Sequence, residues 1–276
     1  MATKKNGSKS KSAEAQVPAE RPSFEIAPIT REYPILNPDV DMNEISEAIR
    51  ENLADEDVGI LDFDRIRVPS GGGLQFEIPT IDGIEHSDHV DGVIALDFVQ
   101  RALWLDSIED GGSGNPPDCS SDDGEVGVGG DRYKGSRCAD CPYNDFGTAK
   151  GGRGKACKEI RQVVLIGDSV IPRIVTVPPT SLAGLKKYKL RLAGAPLKYF
   201  AVVTRIKLKS ATNKAGVKYS EMTFETLKDD DGKAVRLSSE QIERVKAYRQ
   251  EFNASIRRRM RAQEMTRDEA EPETAG

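Results

Sequence analysis

The residues of this chain whose type and spacing most directly suggest chemistry are its four cysteines, Cys119, Cys138, Cys141 and Cys157. They read C-x18-C-x2-C-x15-C, and there are no others. A Cys-x2-Cys pair lets two thiolates reach one ion from a single turn. The outer two can then complete the tetrahedron that Zn²⁺ favours. Four thiolates leave no open position for a reactive water, so the expected cofactor is one structural Zn²⁺. Residues 110–157 are Gly, Asp, Ser and Pro with almost no aliphatic side chains. A stretch of that composition cannot build its own core, and a loop of that length needs a staple or is disordered. A thioredoxin-type pair would sit in a βαβ context that is missing here, and disulfides are not expected without a secretion signal. His86 and His89, the two histidines, are the alternative ligands; their acidic setting reads as a surface loop.

A second group pairs cations with aromatic rings. Around the cysteines stand Arg101, Trp104, Tyr133, Lys134, Arg137, Tyr143, Phe146, Lys150, Arg153 and Lys155; further on come Tyr199, Arg205, Lys207, Lys209 and Tyr219. Charge along a backbone and ring faces under bases are what a single nucleic-acid strand asks for. A duplex reader would instead present a recognition helix. Phe200 and Phe224 read as core. The stretch GTAKGGRGKAC resembles a phosphate loop but fails its spacing: Ala149 stands at the first glycine position and Ala156 follows the lysine. There is no nucleophile elbow, no zinc-protease helix and no dinucleotide fingerprint. The expectation is a binding protein, not an enzyme.

Composition bounds these readings. The 276 residues are 37% hydrophobic and 31% charged, so a core exists but tails and loops dilute it. No window approaches the roughly 18 apolar residues of a membrane span. The start, MATKKNGSKSKS, lacks the apolar stretch of a secretory signal, so a cytoplasmic location is expected. Charge is divided unevenly. Residues 1–130 carry 10 Lys/Arg and 27 Asp/Glu, net −17; residues 131–265 carry 29 and 14, net +15; the last eleven carry 1 and 4. The division points to a basic surface and an acidic region that can compete for it.

Residues 1–40 read as an extended or disordered arm and 41–237 as the core, with 110–158 a zinc-binding insertion. Residues 238–264 read as a C-terminal helix and 265–276 as an acidic disordered tail. Asp41 can cap a short helix, with Glu44 three residues on. Strands are expected in IRVPSGGGLQFEIP, in residues 91–105, 160–167, 171–178 and 197–210, and near 213–227. Within 91–105, alternation would send Val93, Ala95, Asp97 and Val99 one way and Ile94, Leu96 and Phe98 the other. A helix follows Pro179, with Leu182, Leu185, Leu190 and Leu192 buried. About six strands, with one helix between the fourth and fifth, suit an OB-like antiparallel β-barrel, mainly β with α. A split β-sandwich is the competing arrangement.

The segments VPSGGG, GVIALDFVQRALW, NPPDCSSDDG, CADCPYNDFGTAKGGRGKAC, VPPTSL and KYFAVVTRIKL together resemble zinc-containing single-stranded-DNA-binding proteins of bacteriophages and mobile elements. The resemblance covers roughly residues 60–227. It implies an OB-type barrel with a zinc subdomain between strands. It also implies a role in DNA replication and recombination, with an acidic C-terminal tail that recruits partner proteins. The alternative function is a zinc-ribbon transcription or recombination factor acting mainly by protein–protein contacts.

Overall fold

The computed structural model describes residues 33–37, 40–54, 62–69, 72–105, 117–129, 135–150, 154–213 and 216–268. One long strand, β4 (His89–Leu103), organises the sheet. Along one edge, Val93 to Ala102 pair antiparallel with β6 (Lys158–Ile166), which pairs in turn with β7 (Arg173–Val177). Along the other edge, His89 to Gly92 pair with β8 (Thr204–Thr212), which continues into β9 (Lys218–Thr226). The far end of β4 takes β5 (Cys119–Ser121), with Leu103 opposite Cys119. β1 (Arg65–Ile66) runs parallel to β7. The order is β1-β7-β6-β4-β8-β9, with β5 off this path: a curled mixed sheet that forms a half-barrel. A separate hairpin, β2 (Phe76–Thr80) and β3 (Gly83–Ser87), hangs from β1 through reciprocal backbone bonds between Arg67 and Glu77 of 2.9 and 3.1 Å. Between them, the Gly73 carbonyl accepts from Ser220 Oγ at 2.6 Å, which lays that link against β9.

Both faces of the sheet are covered. Inside the curl, Ile94, Val163, Leu165, Val175, Ile206 and Phe224 pack against helix α2 (Leu182–Gly194). This helix buries Leu185, Tyr188 and Leu192, steps of three and four that keep one face. Leu190 is 61% exposed, because two residues past Tyr188 lies most of a half-turn away from that face. Outside the curl, Val93, Ala95, Leu96, Val164 and Ile166 pack against helix α3 (Ser239–Asp268) through Val245 and Phe252. α3 opens with a capping box: Ser238 Oγ accepts from the Gln241 amide at 3.2 Å and Gln241 Oε1 from the Ser238 amide at 2.9 Å. α1 (Met42–Leu53) is capped by Asp41 through the Asn43 amide at 2.8 Å.

Three features depart from the sequence reading. Ala95 is an extra residue: the register runs Ile94 opposite Leu165, then Leu96 opposite Val164. Such a bulge shifts the phase of everything after it. Leu96 and Phe98 therefore join Val93 against α3, and Asp97 turns to α2, where Lys189 donates to it. Secondly, Tyr33, Ile35 and Leu36 are buried in the outer core, so that part of the expected arm belongs to the folded body. Thirdly, the cysteine segment contributes a short strand of its own, β5, which pairs with the far end of β4. The rest of the arm, 1–32, and the tail from 269 lie outside the described residues. Among the described residues no helix is long and apolar enough to cross a membrane.

Candidate metal and nucleic-acid site

Strand register places one of the four cysteines and ends beside a second. Cys119 lies opposite Leu103 on one side of β4. Ala102 lies opposite Lys158 on the other, where the β4–β6 ladder ends. Cys157 immediately precedes β6, and its amide donates to the Tyr143 carbonyl at 2.9 Å.

The other two cysteines come from a small knuckle. Val126 bridges Arg137, the Cys138 amide donates to the Glu125 carbonyl at 2.7 Å, and the Asn144 amide donates to the Cys141 carbonyl at 2.9 Å. All four thiols are free cysteines, and together with Arg101, Leu103 and Asn144 they line one cavity of about 20 Å³. That is room for about one water-sized sphere. The thiols share this cavity without being gathered for coordination: among the described residues no three His, Cys, Asp or Glu side chains could hold an ion as they stand. Burial pushes the Cys157 thiol up to about 11 and raises the Cys138 thiol as well, while Arg101 opposes both shifts. Loading a metal there must release protons. His86 lies in strand β3 and His89 in β4, not in a loop, and neither lines the cavity.

Arg101 is a structural clasp rather than an exposed cation. Its side chain is 14% exposed and donates to the Gly124 carbonyl at 3.1 Å, to Asn144 Oδ1 at 2.9 Å and to Glu159 Oε2 at 3.1 Å. Lys155 donates to the same Asn144 oxygen at 3.0 Å and lies 5.1 Å from the ring centroid of Phe146. Phe146 is 81% exposed and Trp104 45%. Tyr143 is half-buried, its carbonyl taken by the Cys157 amide at 2.9 Å. Arg137 and Lys150 are exposed, and Arg137 lies 3.7 Å from Asp140. Tyr133, Lys134 and Arg153 lie outside the described residues.

The later candidates lie elsewhere. Arg205 sits opposite Asp91, twelve residues along β4 from Leu103, roughly 40 Å of strand. It pairs with Asp91 at 2.5 Å, Lys207 with Glu225 at 3.1 Å and Lys209 with Glu221 at 3.3 Å. Arg205 pairs across β4 and β8, and Lys207 and Lys209 across β8 and β9. Tyr199 is held between Lys189 and Arg249, at 4.6 and 5.3 Å from its centroid, and Tyr219 is half-buried opposite Ala211. The basic and aromatic residues that sequence groups together thus do not share one place: Arg101 lies near the Leu103 end of β4, Arg205 beside Asp91 near the other end, and Tyr199 by Arg249, which bonds Ala95 midway. Asn144, which joins the cysteines to Lys155, carries no spacing signal and is legible only from its bonds.

No protein-family model matches the chain, and neither does any curated protein or solved structure.

Proposed function

We propose that the protein binds single-stranded DNA without catalysing a reaction, in replication or recombination of the bacteriophage type. Strand order carries the reading. An OB barrel has five strands with a helix in the middle, and binds oligonucleotides at its strand 2–3 face and at its first and fourth loops. In this reading the five would be β4, β6, β7, β8 and β9; α2 falls between the third and fourth of these, and the first pairs with both the second and the fourth. The cysteine unit occupies the first loop. β1 and the link through Gly73 stand between β7 and β9, where the barrel would close. α3 covers Val164 and Ile166 on the outside of β6, which leaves the loop end for a strand. Trp104, Tyr143, Phe146 and Lys155 belong to that end.

The same unit is proposed to hold one structural Zn²⁺ through Cys119, Cys138, Cys141 and Cys157. An all-thiol donor set around a one-ion cavity suits that metal. The acidic tail is proposed to bind partner proteins. The ion pairing of Arg205, Lys207 and Lys209 favours the alternative, a zinc-ribbon factor acting by protein contacts. Trp104, the one tryptophan, provides the test. Its fluorescence should be quenched by poly-dT at concentrations where duplex DNA has no effect. Equal response to both, or to neither, rejects the single-strand reading.

A further inference from the structure

We propose that Asn144 is a positioning residue that couples metal occupancy of the four-cysteine cavity to strand binding at Phe146 and Lys155. This rests on the function proposed above. Each polar atom of Asn144 beyond its own carbonyl is committed. Its backbone amide donates to the Cys141 carbonyl at 2.9 Å and its Nδ2 to the Cys138 carbonyl at 2.8 Å. Its Oδ1 accepts from Arg101 at 2.9 Å and from Lys155 at 3.0 Å. One residue thus grips the backbone of both knuckle cysteines and the cation beside the exposed ring.

Arg101 fixes this joint from β4, since its other donors are taken by Gly124 and Glu159. Lys155 and the knuckle are the parts that hang from it. A Zn²⁺ held by Cys119, Cys138, Cys141 and Cys157 would bring their sulfurs closer together than they stand, Cys138 and Cys141 included. Their carbonyls move with them, and so does the amide that Lys155 donates to. A strand stacked on Phe146 orders Lys155 and, through it, the same amide. Each ligand prepares the joint for the other, and such coupling is reciprocal in free energy.

The experiment uses the full chain, Zn²⁺ and a dT oligonucleotide. The Kd for dT is measured with zinc-loaded and chelator-stripped protein. The Zn²⁺ affinity is measured by competition with a chromogenic chelator, with and without saturating dT. In the wild-type protein both affinities should change by the same factor, about tenfold. In Asn144→Ala the four cysteines still bind Zn²⁺, but the factor should fall to near one. Asn144→Asp keeps an acceptor for Arg101 and Lys155 but replaces the Nδ2 donor by a charged oxygen facing the Cys138 carbonyl; it should lower the factor too, and it carries the test if the alanine variant does not fold. A wild-type factor of one, or variants that keep the wild-type factor, overturn the proposal. If dT binds with the same Kd with and without zinc, the joint alone is wrong. If zinc-loaded protein does not bind dT, the strand-binding reading falls and the joint with it.

Discussion

Arg249 of α3 donates to the backbone carbonyl of Ala95, the extra residue of the β4 bulge. The same guanidinium donates to the Tyr199 hydroxyl at 2.7 Å and lies 4.5 Å from the Phe200 ring centroid. A bulge takes a residue out of the ladder, and its carbonyl needs another partner. Arg249→Ala should therefore destabilise the fold by about 1–3 kcal/mol, the cost of a stranded buried polar group. Urea unfolding measures it. A loss under about 0.5 kcal/mol would show that water takes over the bond.

Asp97 lies beside two cations: Arg161 at 2.5 Å, and Lys189 as a second donor. Burial alone would raise its carboxyl, but the Lys189 and Arg161 bonds outweigh that and hold it below the usual carboxylate value. A carboxylate depressed in the folded state stabilises above its unfolded pKa, near 4, and the contribution is lost as pH falls through the folded value. Asp97→Asn should remove that part of the acid sensitivity. Stability curves from pH 7 to 2 that stay parallel for wild type and variant would contradict this.

Cys138→Ser should release the metal and open residues 110–160 to protease. Arg137 and Lys150 are exposed and offer trypsin its sites. Elemental analysis should find about one Zn²⁺ per wild-type chain purified without chelator. Metal-free wild-type protein would refute the site.

Phe146→Ala should weaken dT binding by about 1–3 kcal/mol if the ring stacks a base. Each phosphate neutralised adds about −0.7 to the slope of log affinity against log salt on single strands. Lys155→Ala should flatten that slope by about the same amount. An unchanged slope would remove Lys155 from the strand path.

Deleting residues 269–276 removes Glu269, Glu271 and Glu273 and leaves α3 whole. If this segment covers the cationic surface, its loss should raise dT affinity by about threefold at low salt and by nothing at high salt. Unchanged affinity at low salt means that it does not compete with DNA.

Much of the fold was legible because period and composition agree. The Asp41 cap, the strands β4, β6, β7, β8 and β9, and the helix after Pro179 all follow from local pattern. What escaped depends on distant pairing. Nothing near Ala95 marks a bulge, since the extra residue is defined by β6 on the other side. Ile35 and Leu36 lie among prolines and look like linker, yet the outer core covers them completely. Three cysteine-bearing segments line one cavity, without being gathered for coordination. The β8 cations did not join it, because a sequence lists charges without their cross-strand partners.

β4 and β6 stay in antiparallel register up to Ala102 opposite Lys158, so the chain leaves this strand pair and re-enters it at adjacent points. For those two strands, 103 to 157 is the connecting turn, tied back to β4 by β5. The entropy of closing such a turn grows only with the logarithm of its length. Exchanging this segment therefore costs little in loop closure, and its main cost is the β5 pairing along Arg101, Ala102 and Leu103. For an engineer, a two-residue Asn-Gly turn between Ala102 and Lys158 has the geometry such a pair accepts. That trimmed chain would separate the curled sheet from its cysteine-bearing segment.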